Sequence, residues 1–146
     1  MEISNTKKLN LAIIRGNKAY DYWAEKANLS NYLSVILYEL LIRSKLSQKE
    51  LIKLTDLPKQ SINKGIHLLY EQGYISLTTS ERDNRVKFCE LTKDGQDYAR
   101  EVMKPLIELE ERVADRMGKE KMKQLTFLMT EWSDTFWKLM KEQAHK

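Results

Sequence analysis

The tetrapeptide Ser47-Gln48-Lys49-Glu50 constrains the chain more than any other feature. It is a capping box, in which the Ser47 hydroxyl accepts from the backbone N–H of Glu50 and the Glu50 carboxylate accepts from the N–H of Ser47. Leu46 before the cap and Leu51 after it are placed as a hydrophobic staple. A helix therefore starts here, and it ends near Thr55-Asp56-Leu57. Pro58 follows at or beside the first position of a second helix, where its missing N–H costs nothing. That helix runs to about Gln72 and stops at Gly73, a natural residue just past a helix end. Ile62, Ile66 and Leu69 form its inner face, while Gln60, Asn63, Lys64 and His67 point the opposite way at about 100° per residue.

After Gly73 the hydrophobic period changes. Tyr74 to Thr78 and Val86 to Leu91 are rich in β-branched and aromatic residues, and the loop Thr79 to Arg85 between them is polar. The pattern predicts a β-hairpin with a charged tip. On the amino-terminal side, residues 5–26 read as a helix carried by Leu9, Ile13, Tyr20 and Trp23, with Gly16 as a weak point. Asn28 to Ser30 break it, and Ser30 stands as the N-cap of another helix whose Leu33, Ile36, Leu37, Leu40 and Leu41 share one buried face. On the carboxyl side a helix begins at Thr92, with Asp94 suited to its positive end. Tyr98, Val102, Leu106, Leu109, Val113 and Met117 follow helical spacing, and Pro105 within the run predicts a kink. Gly118 separates a last helix striped by Met122, Leu125, Met129, Trp132, Phe136 and Leu139.

The fold expected is mainly α with a small β-hairpin wing. It consists of a winged helix-turn-helix domain plus N- and C-terminal dimerisation helices. The divisions expected are 1–28 for the first helix, 29–95 for the winged region and 96–146 for the last helices. The terminal helices would overhang so small a core, so their apolar stripes are expected to be buried against a second copy of the chain.

Composition narrows the function. With 42 % apolar residues in 146, the chain can bury a core. No stretch approaches the roughly 20 apolar residues of a membrane span, and residues 1–8 lack the apolar segment of a signal peptide. A single cysteine, Cys89, precludes an internal disulfide and fits a reducing cytoplasm. Five glycines form no phosphate-binding loop, and two histidines, His67 and His145, stand at no metal-ligand spacing. No nucleophile–base or metal constellation is visible, so neither an enzyme nor a cofactor is expected.

The order short helix, turn, second helix, hairpin is a winged helix-turn-helix. Residues 57–70 contain Lys59 and Lys64 and no acid. Gln60, Asn63 and Lys64 are types that hydrogen-bond to base edges in a major groove. Lys59 and Ser61 are placed to meet phosphate, and His67 to touch a base or phosphate or stay solvated. Arg82 and Arg85 at the hairpin tip are suited to enter the adjacent minor groove or to clamp its phosphates. The formal charge of +4 does not come from this region. Ser47 to Gln72 holds four Lys against three acids, and Gly73 to Gly95 four bases against four acids. Binding must rest on placement, with few phosphate contacts per copy.

The stretch LSQKELIKLTDLPKQSINKGIHLLYEQGYI, followed by SERDNRVKFCELTKDG, resembles the multiple-antibiotic-resistance regulator (MarR) family. The resemblance covers about Asn31 to Gly95. Its most diagnostic motif is Asp83-x-Arg85 followed by Leu91-Thr92-x-x-Gly95. It implies that Arg85 enters a minor groove while Asp83 holds it by an ion pair. It also implies an obligate homodimer joined through the terminal helices, binding a pseudo-palindromic DNA operator and usually repressing transcription. Many members release DNA when a small, often phenolic, effector binds, and Tyr20, Trp23, Tyr32 and Tyr38 are the aromatics here that would line such a site. Two departures stand out. Ser76, Leu77 and Thr78 are neutral where family wings often carry bases, and Gly65 sits inside the proposed recognition helix.

Bland readings stand beside these. The face of Lys59, Gln60, Asn63 and Lys64 is also what an ordinary solvated helix shows. Tyr20, Trp23 and Tyr38 also fit plain core. Cys89 reads as a small buried hydrophobe or a thiol switch. The alternative of another class is a winged-helix protein-interaction module that binds no DNA.

Overall fold

A computed structural model describes residues 2–145. The chain divides into two compact units, one ending at Lys104 and the other starting at Pro105. The first contains α1 (Asn5–Lys26), α2 (Asn31–Arg43), β1 (Lys45–Ser47), α3 (Gln48–Leu54), α4 (Lys59–Glu71), β2 (Ile75–Thr79) and β3 (Lys87–Leu91). Helix α5 (Lys93–Met117) starts in this unit and runs on into the second, which also holds α6 (Lys119–Ala144). No described helix is long and apolar enough to cross a membrane.

The helix boundaries follow from local chemistry. Ser4 caps α1 by accepting from the N–H of Lys7. The end of α1 is a Schellman motif: Asn28 takes φ 55°, its N–H donates to the Glu25 carbonyl, and the Leu29 N–H donates to Ala24 at 2.9 Å. Ser30 occupies the N-cap of α2 without a side-chain cap bond. At α3 both halves of the capping box form, Glu50 N–H to Ser47 Oγ at 3.0 Å and Ser47 N–H to Glu50 Oε1 at 3.2 Å. Pro58 is the N-cap of α4, one position earlier than its first helical residue. Helix α4 ends as α1 does. Gly73 takes φ 80°, its N–H donates to Tyr70, and the Tyr74 N–H donates to Leu69. The Pro105 kink is not marked by a break in the helix: α5 is continuous from Lys93 to Met117.

The sheet has three antiparallel strands in the order β1-β3-β2. Cys89 of β3 faces Leu46 on one side and Leu77 on the other. Strand β1 is a departure from the sequence pattern, which marks Leu46 and Ser47 only as the staple and cap of the following helix. They do both, pairing with β3 before the chain turns into α3.

The core of the first unit joins Ile36, Leu37 and Leu40 of α2, Leu46 of β1, Leu51 of α3 and Ile62, Ile66 and Leu69 of α4. Ala24 of α1, Ile75, Cys89 and Leu91 of the sheet and Ala99 and Met103 of α5 complete it. Each of the leucine, isoleucine and methionine side chains contributes roughly 1.5–3 kcal/mol when buried. Two glycines set how closely the elements approach. A Cβ on Gly65 would lie 2.4 Å from Cδ1 of Ile36, so the gap in α4 is filled by α2. A Cβ on Gly95 would lie 1.8 Å from the carbonyl oxygen of Tyr74, where the obstacle is backbone.

These environments predict an order of effects for glycine-to-alanine substitutions, read as urea midpoints at constant slope. Gly95→Ala should destabilise most, by about 3 kcal/mol, because backbone must move. Gly65→Ala should lose about 1 kcal/mol or less, since a flexible side-chain end can shift and alanine favours helix. Gly16→Ala, with nothing within 4 Å of its Cβ, should stabilise by about 0.5–1 kcal/mol.

Candidate nucleic-acid interface

Helix α4 has two chemically distinct faces. Ile62, Gly65, Ile66 and Leu69 are buried, whereas Lys59, Gln60, Asn63, Lys64 and His67 are exposed and Ser61 is half-buried. The buried row holds the exposed row in a fixed orientation on the core. Lys64 lies with its ammonium 5.6 Å from the Tyr32 ring centre, a cation–π contact that restrains its long side chain. His67 Nε2 lies 3.1 Å from Oε1 of Glu71 on the next turn, which places it in a local polar pair.

The hairpin tip is closed by the Ser80 N–H donating to the Val86 carbonyl at 2.9 Å and the Val86 N–H donating to Asp83 at 3.0 Å. Within it the Asp83 carboxylate accepts from the Arg85 backbone N–H at 3.0 Å and from Arg85 Nε at 3.2 Å. The backbone N–H first and the guanidinium second hold the Asp83 carboxyl below its ordinary value of 3.8. The Arg85 side chain is nonetheless 92 % exposed. An ion pair this open adds little to stability. Its effect is to restrict where the guanidinium points. Arg82 is exposed beside it, its backbone N–H donating to Ser80 Oγ.

The wing root explains the second half of the sequence motif. Thr92 Oγ1 donates to the Gly73 carbonyl at 2.7 Å and accepts from the Gly95 N–H at 3.0 Å, while the Thr92 N–H donates to the Tyr74 carbonyl. Tyr74 and Tyr98 stack with ring centres 4.2 Å apart. The end of α4, both wing strands and the start of α5 thus meet at one junction.

Three contacts at this surface escaped the sequence reading. Gln48, the first residue of α3, donates through Nε2 to Oδ1 of Asn63. Lys45 of β1 stands 5.0 Å from the ring centre of Phe88, bringing a cation to the wing. Tyr32 underlies Lys64. Only the helix-turn-helix geometry, which sets the first turn of one helix against the next, carries a signal for Gln48. Of the aromatics considered for an effector, Tyr20 is exposed and Trp23 and Tyr38 are half-buried. Cys89 is fully buried, and burial pushes its thiol up to about 11, so at neutral pH it is a protonated core group.

A sequence model of the MarR family matches residues 34–85, from α2 through α4 to Arg85 at the wing tip. That match spans the helix-turn-helix and most of the wing. The fold of the chain is that of MarR-family transcriptional regulators over nearly its whole length. A MarR family regulator from Neisseria meningitidis is similar at 23 % identity and a TM-score of 0.82, covering 97 % of this chain and 99 % of that one. NadR in complex with 4-hydroxyphenylacetate is similar at 20 % identity and a TM-score of 0.78, covering 90 % and 96 %. Wild-type MarR in its apo form from E. coli is similar at 11 % identity and a TM-score of 0.65, covering 90 % and 97 %. These likenesses are of fold. No curated protein matches the chain by sequence.

The depressed Asp83 carboxyl of this wing fixes a pH prediction. The contacts to Arg85 form with the ionised carboxylate, so they are intact above the carboxylate range and lost as pH falls through it. In an NMR titration the Arg85 Nε proton should be unchanged across neutral pH and should respond only in acid, with an apparent midpoint below 3.8. A midpoint at or above that value would contradict the tether.

Proposed function

We propose that the chain is a homodimeric, DNA-binding transcriptional repressor. Each copy sets α4 in a major groove and the Asp83–Arg85 wing in the flanking minor groove of a pseudo-palindromic operator. One observation carries this reading. The exposed row Lys59, Gln60, Asn63 and Lys64 stands on a rigidly packed helix, in the same unit as a tethered, solvent-facing Arg85. In this assignment Lys59, Ser61, His67 and Arg82 meet phosphates, Gln60, Asn63 and Lys64 meet base edges, and Asp83 aims Arg85. It is a binding function, with no catalytic step and no cofactor, exercised on DNA in the cytoplasm.

The apolar surface of the terminal helices supports the dimer. No residue of α6 is buried, and Leu125, Phe127, Leu128, Phe136, Trp137 and Leu139 are exposed along it. Helix α1 leaves Leu11, Ile14, Tyr20 and Tyr22 exposed. Single exposed apolar residues are ordinary, but rows of this length mark an association surface. We assign 1–28 and 96–146 to dimerisation and 29–95 to DNA binding. We further propose that a small aromatic effector binds near Tyr20, Trp23 and Tyr38 and releases DNA by favouring one spacing of the two wings. The aromatic acid bound by NadR supports that choice of ligand class.

Selection from random duplexes with the purified protein tests the reading. A twofold-symmetric sequence should be enriched, and its affinity should fall with salt at a slope of about 0.9 per phosphate contacted. Arg85→Ala should weaken every sequence alike, while Asn63→Ala should relax discrimination by about 1–3 kcal/mol at one position per half-site. Sedimentation should find a dimer that Phe136→Glu dissociates. Absence of salt-dependent DNA affinity even at low ionic strength would overturn the reading and leave the protein-interaction module. Phenolic acids should release the operator, and no response across a broad panel would contradict the effector assignment.

A further inference from the structure

Gln48 and Asn63 lie on different helices, and each is fixed from behind. Gln48 follows Ser47, which is buried, paired with Phe88 across the sheet and locked by both bonds of the capping box. Asn63 follows Ile62 and precedes Gly65 and Ile66, all buried against the core. The half-buried Gln48 side chain donates through Nε2 to Oδ1 of the exposed Asn63. Two anchored backbones therefore set the direction of one amide.

That direction has chemical content. An asparagine amide can offer a base edge either its carbonyl or its NH2. With Oδ1 held by Gln48, the Asn63 Nδ2 donors are the part left to face outward. Donors in a major groove pair with acceptors, which are N7 and O6 of guanine, O4 of thymine and N7 of adenine; cytosine offers only a donor. We propose that Gln48 is a specificity-determining positioning residue, which holds the Asn63 carbonyl so that Asn63 reads an acceptor-bearing base edge. This rests on the proposal that α4 enters the major groove. An amide–amide bond near the surface adds little to folding, so the role is one of orientation.

Replacing the donor by an acceptor should reverse the reading. In Gln48→Glu the carboxylate can only accept, so it must hold Nδ2 of Asn63 and turn Oδ1 outward. A negative charge in the first turn of α3 suits the helix dipole, so the variant should fold. Gln48→Leu removes the hold without adding charge and guards against a misfolded Gln48→Glu.

The experiment is selection from random duplexes with wild type, Gln48→Glu, Gln48→Leu and Asn63→Ala, each checked by thermal unfolding. Wild type should disfavour cytosine at one position per half-site, where guanine, thymine or adenine offers an acceptor, and Asn63→Ala should flatten that position. Gln48→Leu should flatten it by about tenfold, and Gln48→Glu should switch it away from guanine and thymine and toward the donor-bearing bases cytosine and adenine. Other positions should keep their preferences, although Gln48→Glu should lower overall affinity through its charge. A purely structural role for Gln48 would move unfolding temperatures and leave the base preference alone. If wild type enriches an operator and Asn63→Ala flattens one position that neither Gln48 variant alters, the inference falls while the DNA reading stands. If Asn63→Ala flattens no position, the inference falls as well. If wild type enriches nothing, the DNA reading itself falls and takes this inference with it.

Discussion

The carbonyl of Tyr74 occupies the place where any side chain at residue 95 would begin, and the winged unit is organised around that close approach. Because Gly95 has no Cβ, the start of α5 can lie against the strand leaving α4. Thr92 then closes the junction, donating to Gly73 and accepting from Gly95. Gly73 is itself the left-handed residue that ends α4. One short network therefore fixes where α4 stops, where the wing begins and where the next helix departs. The elements proposed to read DNA, α4 and the hairpin, inherit their relation to each other from it.

Stability and function draw on different groups within this unit. Folding rests on the aliphatic residues of α2, α3, α4 and the sheet, with Gly65 letting Ile36 reach into the flank of α4. The groups assigned to DNA contribute little to that. Arg85 is almost wholly in solvent, and the open pair with Asp83 directs it without supporting the fold appreciably. Charge is nearly balanced across the helix-turn-helix and the wing. Affinity from bulk electrostatics would be modest, and discrimination must come from where a few amides and cations are held.

Much of this was legible in the sequence because it is encoded locally. The capping box, the proline before α4, the glycine after it and the change of period into the hairpin each act over a few residues, and each formed where expected. The burial of Cys89 and the outward row on α4 followed from strand and helix periods in the same way. Strand β1 was not legible, since three residues cannot display a period of two and these three also serve the cap of α3. The Gln48–Asn63 bond depends on how two helices cross, which no local pattern specifies. Gly65 reads in the sequence either as a weak point of its helix or as room for a neighbouring helix, and only the position of Ile36 decides between the two.

The central claim is that α4 and the Arg85 wing contact DNA together, once in each half of a twofold assembly. Hydroxyl-radical footprinting on a selected duplex, with wild type and Arg85→Ala side by side, tests it most directly. The account predicts two symmetric protected regions centred about one helical turn apart, each flanked by a protected minor groove. With Arg85→Ala the flanking protection should vanish and the central protection should remain. A single unsymmetric footprint, or flanking protection that survives the loss of Arg85, would contradict it.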